Sequence, residues 1–90
     1  MNILIVEDDD NIANVVSEIL QAREFETVLC DTGSQAVELI KNNMYDLILL
    51  DLNLPGIDGL EILRQFREIN SFTPVLILSA RGQIQDKVEG

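Results

Sequence analysis

Acidic and hydroxyl side chains follow three apolar segments of the sequence, at the points where those segments end. Glu7 and Asp8 follow the first segment, Asp51 follows another, and Ser79 follows the last. If these segments are parallel strands, their carboxyl ends lie at one edge, where open α/β sheets bind ligands. Two carboxylates about 4 Å apart repel by about 4 kcal/mol at an effective dielectric near 20. Folding must therefore either raise a pKa or recruit a cation.

The available donor atoms favour a hard cation. The chain has no histidine and a single cysteine, whereas carboxylate and carbonyl oxygens suit Mg²⁺, which also keeps several waters. Asp51 then has two candidate roles, as a metal ligand and as a nucleophile toward a phosphorus held in line. A backbone N–H or the hydroxyl of Ser79 could hold a second phosphoryl oxygen.

Each of these residues also has a structural explanation when it is considered alone. The acidic run at residues 7–10 can be a solvated cluster at the start of a helix, Asp51 a cap or turn former, and Ser79 a loop hydroxyl. Their convergence on one edge of adjacent strands is the observation that favours chemistry.

Strands and helices alternate along the chain. Short apolar segments predict strands at residues 2–6, 27–30, 46–51 and 74–79. Thr32 and Gln35 form a capping-box signature before the second helix, which should run to about Asn42. A fourth helix begins near residue 83. Apolar residues at helical spacing predict three inward-facing stripes: Ile12, Val15, Val16, Ile19 and Leu20; Ala36, Val37 and Ile40; Leu60, Ile62, Leu63, Phe66 and Ile69.

This order predicts a single α/β domain with a doubly wound parallel sheet, covered by helices on both faces. Ninety residues leave room for one domain. We find no internal repeat, no low-complexity segment and no internal domain boundary.

The composition excludes several classes of partner. The formal charge of −10 should repel phosphate backbones and anionic lipids, so we expect this segment to bind neither nucleic acid nor membranes. A single cysteine, Cys30, cannot form an internal disulfide, which fits a reducing compartment. With no apolar run of membrane-spanning length and no signal-peptide pattern, we expect a cytoplasmic location.

Three tracts give the sequence a family resemblance: residues 3–9, 46–59 and 74–80. In the middle tract an apolar strand, Asp51, a Leu-Pro pair and an Asp-Gly pair follow one another, which is a specific combination. The chain resembles the receiver domain of two-component response regulators, and most closely those with a winged-helix DNA-binding output domain. The resemblance implies a flavodoxin-like fold with strand order 2-1-3-4, followed in the family by a fifth strand.

The resemblance also implies a reaction. Asp51 matches the phosphoacceptor, which takes a phosphoryl group from a histidine kinase in a Mg²⁺-dependent reaction. Asp8 matches the carboxylate that binds Mg²⁺ directly, and Glu7 matches its neighbour, which usually acts through water. Asn53 matches the position whose backbone carbonyl binds the metal.

Two further positions match residues that respond to the phosphoryl group. Ser79 matches the hydroxyl residue that turns toward this group, and Ala80 matches the small residue that leaves it room. Pro55 and Gly59 match residues that shape the loop after Asp51.

Family members continue beyond the position of Gly90 with the rest of a helix, a fifth strand and a fifth helix. These elements contain a lysine that pairs with the phosphoryl group and an aromatic residue coupled to the switch. For residues 1–90 we therefore expect an incomplete receiver domain in which Mg²⁺ binding survives better than phosphorylation or switching. Val75 to Leu78 would form an exposed edge strand, which predicts homo-oligomers paired at that edge.

Three other functions compete with this one. One is an aspartyl phosphatase similar to haloacid dehalogenases. Such an enzyme needs a second acid at the position of Asn53 and a cap domain that selects the substrate, and this chain has neither. A phosphorylation-independent interaction or dimerisation module would use the fold without the chemistry. A dinucleotide-binding domain needs a glycine-rich turn after the first strand, where this chain has only acids.

Overall fold

Four parallel strands form one sheet, and helices connect them. The computed structural model describes residues 1–52, 54 and 59–77. The strands are β1 (Asn2–Val6), β2 (Glu26–Cys30), β3 (Leu47–Leu50) and β4 (Val75–Ile77), in the order β2-β1-β3-β4. The helices are α1 (Asp10–Ala22), α2 (Gly33–Asn42) and α3 (Gly59–Ile69). The predicted fold class and strand order are confirmed.

The register of the pairing places three strand ends side by side. Val6, the last residue of β1, pairs with Cys30 of β2 and with Leu50 of β3. Residues that directly follow these strands therefore emerge at the same edge of the sheet.

Apolar side chains cover both faces of the two central strands. On one face, side chains of α2 and α3 complete the larger cluster. On the other, Val16 and Leu20 of α1 pack over the smaller one, formed by Ile3, Ile5 and Leu49. The fully buried members of the larger cluster are Leu4, Val6, Ala36, Leu50, Ile62 and Phe66.

The inward face of α1 differs from the predicted stripe. Val15 and Ile19 are more than half exposed, whereas Ser17 is buried. The Ser17 hydroxyl lies 2.7 Å from the Thr27 hydroxyl on β2, and the Gln21 amide donates to both. This polar contact and the small side chain of Ser17 let α1 pack closely on β2. The face of α1 that contacts the sheet therefore includes a polar residue, which the spacing of apolar residues alone does not predict.

The stripe on α3 is narrower than predicted. Ile62 and Phe66 are buried and Leu63 is partly buried, but Leu60 is 61% exposed. Leu60 lies about 200° around the helix from Ile62, so both cannot face the sheet. Ile69, at the last residue of the helix, is 38% exposed.

Helices do not cover both faces of β4 within the described residues. Leu76 pairs with Leu49 and therefore points to the same face as Leu49, but Leu76 is 56% exposed. Among the described residues α1 is the helix on this face, and it packs over β1 and β2. Leu78 and Ser79 of the predicted strand, and the helix predicted from residue 83, lie outside the described residues.

The predicted caps are present where the structure describes them. Asp9 is the N-cap of α1 and accepts hydrogen bonds from the backbone N–H groups of Asn11 and Ile12. Thr32 caps α2 and accepts from the N–H of Gln35 at 3.2 Å. No helix within the described ranges is both long enough and apolar enough to cross a membrane.

Candidate metal centre

Backbone pairing fixes the two buried acids of the candidate site. The N–H of Glu7 donates to the carbonyl of Cys30 at 3.0 Å, and the N–H of Asp51 donates to the carbonyl of Val6 at 2.9 Å. Each acid therefore extends the parallel ladder by one residue beyond the strands. Their backbone positions are therefore set by the sheet.

Glu7, Asp8 and Asp51 form one cluster. Each can offer a carboxylate oxygen such that these oxygens all lie within 4.8 Å of one another. Glu7 is 3% exposed and Asp51 is fully buried, whereas Asp8 is exposed. The cluster thus has two acids anchored in the sheet and a third that faces solvent.

Crowding and burial change the acidity of Glu7. Its pKa rises from 4.5 to about 7, mainly because burial removes water from the charged form and because a hydrogen bond with Asp51 favours the protonated form. The charge of Asp51 acts in the same direction. The backbone N–H of Asp9 donates to Glu7 Oε2 at 3.1 Å and partly opposes the shift.

This cluster fits a hard divalent cation. All its donors are carboxylate oxygens, which Mg²⁺ prefers. A cation would favour the charged forms of acids that otherwise repel one another. The charge of Asp51 contributes to the raised pKa of Glu7, although burial has the larger effect.

The acidic run at residues 7–10 divides between two roles. Glu7 and Asp8 belong to the cluster, whereas Asp9 caps α1 and Asp10 begins the helix. The carboxylate of Asp9 therefore accepts a hydrogen bond from the N–H of Asn11 in α1, while the backbone N–H of Asp9 donates to the carboxylate of Glu7. The family resemblance assigned Glu7 and Asp8 to the metal site, but residue types alone did not show which acid caps α1, because all four positions carry the same kind of group.

Gly59 supports the segment that follows Asp51. A Cβ on Gly59 would lie 2.5 Å from the Cα of Leu52, so a side chain there requires the backbone to shift. Only glycine lets the start of α3 approach the residue next to Asp51 this closely. Gly59 was predicted to shape this loop, and the contact with Leu52 supplies the reason.

Cys30 is not a nucleophile for this site. It lines a cleft of about 260 Å³ beside Glu7, between α1 and α2. Burial and the carboxylate of Asp31 raise the pKa of its thiol to about 11, so it stays protonated near neutral pH.

Three of the predicted site residues lie outside the described residues: Asn53, Ser79 and Ala80. Those that the structure describes, Glu7, Asp8 and Asp51, are brought together as the sequence indicates.

The family profile of the response regulator receiver domain matches residues 3–90. The chain belongs to this family. As a receiver domain it is part of a two-component system. Curated relatives include the proteins named cell cycle response regulator CtrA from Brucella ovis and Brucella abortus, 43% identical over all 90 residues. The receiver chain spans 39% of the length of these relatives.

Solved receiver structures have the same architecture. The receiver domain of Francisella response regulator 1452 is 34% identical, with a TM-score of 0.83 over 98% of this chain and 73% of that one. The receiver domain of sensor histidine kinase PA1611 from Pseudomonas aeruginosa is 32% identical, with a TM-score of 0.86 over 96% of this chain and 72% of that one. The PA1611 domain has a magnesium ion coordinated in its active site cleft.

Proposed function

We propose that this receiver domain accepts a phosphoryl group on Asp51 from a histidine kinase in a Mg²⁺-dependent reaction. The observation that supports this most strongly is the convergence of Glu7, Asp8 and Asp51 at the carboxyl edge of the sheet. The PA1611 receiver domain, with magnesium in its cleft, supports the same choice of cation. The phosphorylation-independent interaction module has no comparable support.

The roles follow from the placement of the acids. Asp51, held by its N–H bond to Val6, would be the oxygen nucleophile, and Glu7, Asp8 and Asp51 would hold Mg²⁺. The family resemblance adds the backbone carbonyl of Asn53 as a further ligand. Mg²⁺ would offset the negative charge of the incoming phosphoryl group. An O–P bond forms on Asp51 as the N–P bond to the kinase histidine breaks.

Two residues would then sense the product. The hydroxyl of Ser79 would hold a phosphoryl oxygen, and the small side chain of Ala80 would leave room for the group. Because the chain would store a phosphoryl group instead of turning over a substrate, we propose that it is a signalling module rather than an enzyme.

The test is phosphorylation with a small donor. Incubation with acetyl phosphate and MgCl₂ should add about 80 Da, the mass of one phosphoryl group, as read by intact mass spectrometry. Asp51→Asn should abolish the adduct, and chelation of Mg²⁺ should prevent it. Asp31→Asn, an exposed acid after β2, is the matched control and should still be modified. An adduct that persists in Asp51→Asn would disprove the assignment, and continuous release of phosphate would indicate a phosphatase.

We also propose that copies associate through β4. Among the described residues β4 is the edge of the sheet on this side, and Leu76 and Ile77 are 56% and 38% exposed. An exposed apolar edge is a template for another strand. Light scattering after size-exclusion chromatography should show a dimer or larger species, and Leu76→Glu should reduce it. Val15→Glu, at a similarly exposed position on α1, should not. A monomer at tens of micromolar would contradict the proposal.

For the parent protein we propose a cytoplasmic transcription regulator, on the likeness to CtrA. Residues 1–90 would be its receiver domain, and a winged-helix domain would bind DNA. The charge of −10 makes direct contact of this segment with DNA or membranes unfavourable.

A further inference from the structure

A groove lies at the end of the sheet opposite Asp51. It has a volume of about 550 Å³ and runs between the last turns of α2 and α3 and the segments that follow them. These segments lead into the amino ends of β3 and β4, whereas Asp51 follows the carboxyl end of β3. We call it the α2–α3 groove, and its lining includes Lys41, Met44, Arg67, Ile69 and Phe72.

Large apolar side chains in this groove face solvent. Met44 is 81% exposed and Phe72 is 91% exposed, and Ile69 at the end of α3 is 38% exposed. Exposed apolar patches that are rimmed by polar groups mark interaction sites more often than chance. Aromatic side chains and methionine are also enriched in protein interfaces.

The segment that presents Phe72 is held in place by hydrogen bonds. Asn70 Oδ1 accepts from the N–H of Phe72 at 2.8 Å and from that of Thr73 at 3.2 Å. The Thr73 hydroxyl donates to the carbonyl of Tyr45, and Arg67 donates to the carbonyl of Thr73 at 2.7 Å. Phe72 is therefore exposed from an ordered turn, so binding would cost little conformational entropy.

The charge of the groove is opposite to that of the chain. Lys41 and Arg67 line it together with one acid, Glu68, and that acid is bound to Arg64 at 2.7 Å. Lys41 pairs with Glu38 at 3.6 Å, and Glu38 is exposed and does not line the groove. The net charge of the whole chain is −10, so this cationic rim is a local exception.

Three carbonyl groups near the ends of α2 and α3 accept hydrogen bonds. Carbonyl groups in the last turn of a helix carry a partial negative charge. Here the Asn42 amide donates to the carbonyl of Glu38, the Asn43 amide to that of Leu39, and the N–H of Asn70 to that of Phe66. These bonds reduce but do not remove the partial negative charge of the two helix ends, so Lys41 and Arg67 are the groups of the groove lining that can attract a carboxylate.

We propose that the α2–α3 groove binds an apolar segment of another protein that carries carboxylates beside its apolar side chains. A second copy of this chain is a poorer partner. In a two-fold arrangement the Lys41 and Arg67 side chains of one copy would face those of the other, and like charges would repel. A basic segment would be drawn to the acidic remainder of the surface. Because the groove and Asp51 lie at opposite ends of the sheet, such a partner can stay bound during phosphoryl transfer.

The probes are three synthetic helical peptides of equal length that share leucine and phenylalanine positions. Their polar positions are glutamate, lysine or glutamine. Titrated into the ¹⁵N-labelled 90-residue chain, the glutamate peptide should shift the amide resonances of Met44, Ile69 and Phe72 most strongly. Phe72→Ala should weaken its binding about tenfold or more. Leu60→Ala, at an exposed position at the start of α3, is the matched control and should leave binding unchanged.

Asp51→Asn should bind the glutamate peptide as tightly as the unaltered chain, which separates this test from that of phosphorylation. Equal or stronger shifts of the groove residues with the lysine peptide would overturn the proposal. Shifts confined to residues outside the groove would also overturn it, as would stronger binding of the groove to anionic vesicles than to the glutamate peptide. Shifts of the groove residues that depend on protein concentration without peptide would indicate that a second copy binds there instead.

Discussion

Glu7 couples the protonation of the acidic cluster to the stability of the fold. Its pKa is about 7 in the folded chain and 4.5 for an ordinary glutamate, so the folded state holds this proton more tightly. The resulting stabilisation is fully present below about pH 4.5 and is lost as the pH rises through about 7. A cation bound by the charged carboxylates would replace this stabilisation at higher pH.

Substitution of Glu7 by glutamine should remove this pH dependence. Between about pH 5 and 8, the free energy of unfolding of the metal-free chain should fall less steeply in Glu7→Gln than in the unaltered chain. Urea denaturation at a series of pH values measures both slopes. Glu18→Gln, an exposed acid on α1, should reproduce the unaltered slope. Identical slopes for Glu7→Gln and the unaltered chain would show that Glu7 does not hold the proton.

At the scale of elements, the sequence predicts strands better than helix faces. β1 and β3 are continuous apolar runs that end in acids, so parallel pairing alone brings Glu7 and Asp51 together. The face of α1 could not be predicted in the same way, because it depends on the contact of Ser17 with Thr27 across 10 residues of sequence. Exposure of Asp8 beside buried Glu7 likewise depends on packing that residue types do not encode.

The end of α1 contains a strained residue that can be relieved. Glu24 has a φ of 69°, in the left-handed region that glycine adopts at low cost. The N–H of Phe25 donates to the carbonyl of Leu20, and the N–H of Glu24 to that of Gln21. These two bonds form a Schellman motif, in which glycine is the usual residue at the position of Glu24.

Glu24→Gly should therefore stabilise the chain. We expect a gain of about 0.5–1 kcal/mol, which is the left-handed penalty less the greater freedom of glycine in the unfolded state. This gain should raise the Tm by about 2–6 °C in a thermal melt followed by circular dichroism. Glu24→Ala removes the charge but keeps the Cβ, so it serves as the control and should not stabilise. An equal gain in both variants would assign the effect to charge rather than to backbone strain.

At the scale of the whole molecule, two electrostatic effects act together. A net charge of −10 on 90 residues disfavours the compact state, and any salt screens this repulsion. A cation bound specifically by the acidic cluster adds stabilisation that depends on its affinity for the folded state. The two effects separate when Mg²⁺ is compared with Na⁺ at equal ionic strength.

MgCl₂ should raise the Tm more than NaCl at the same ionic strength, because it binds the cluster as well as screening the surface. The extra stabilisation should reach about 2.7 kcal/mol when Mg²⁺ is a hundredfold above its Kd. Asp8→Asn should lose this extra part while keeping the response to NaCl. Asp10→Asn removes the same charge two residues away, outside the cluster, and should keep both responses. If the two variants respond alike, Mg²⁺ acts on the acidic surface as a whole, and the convergence of Glu7, Asp8 and Asp51 would not constitute a metal site.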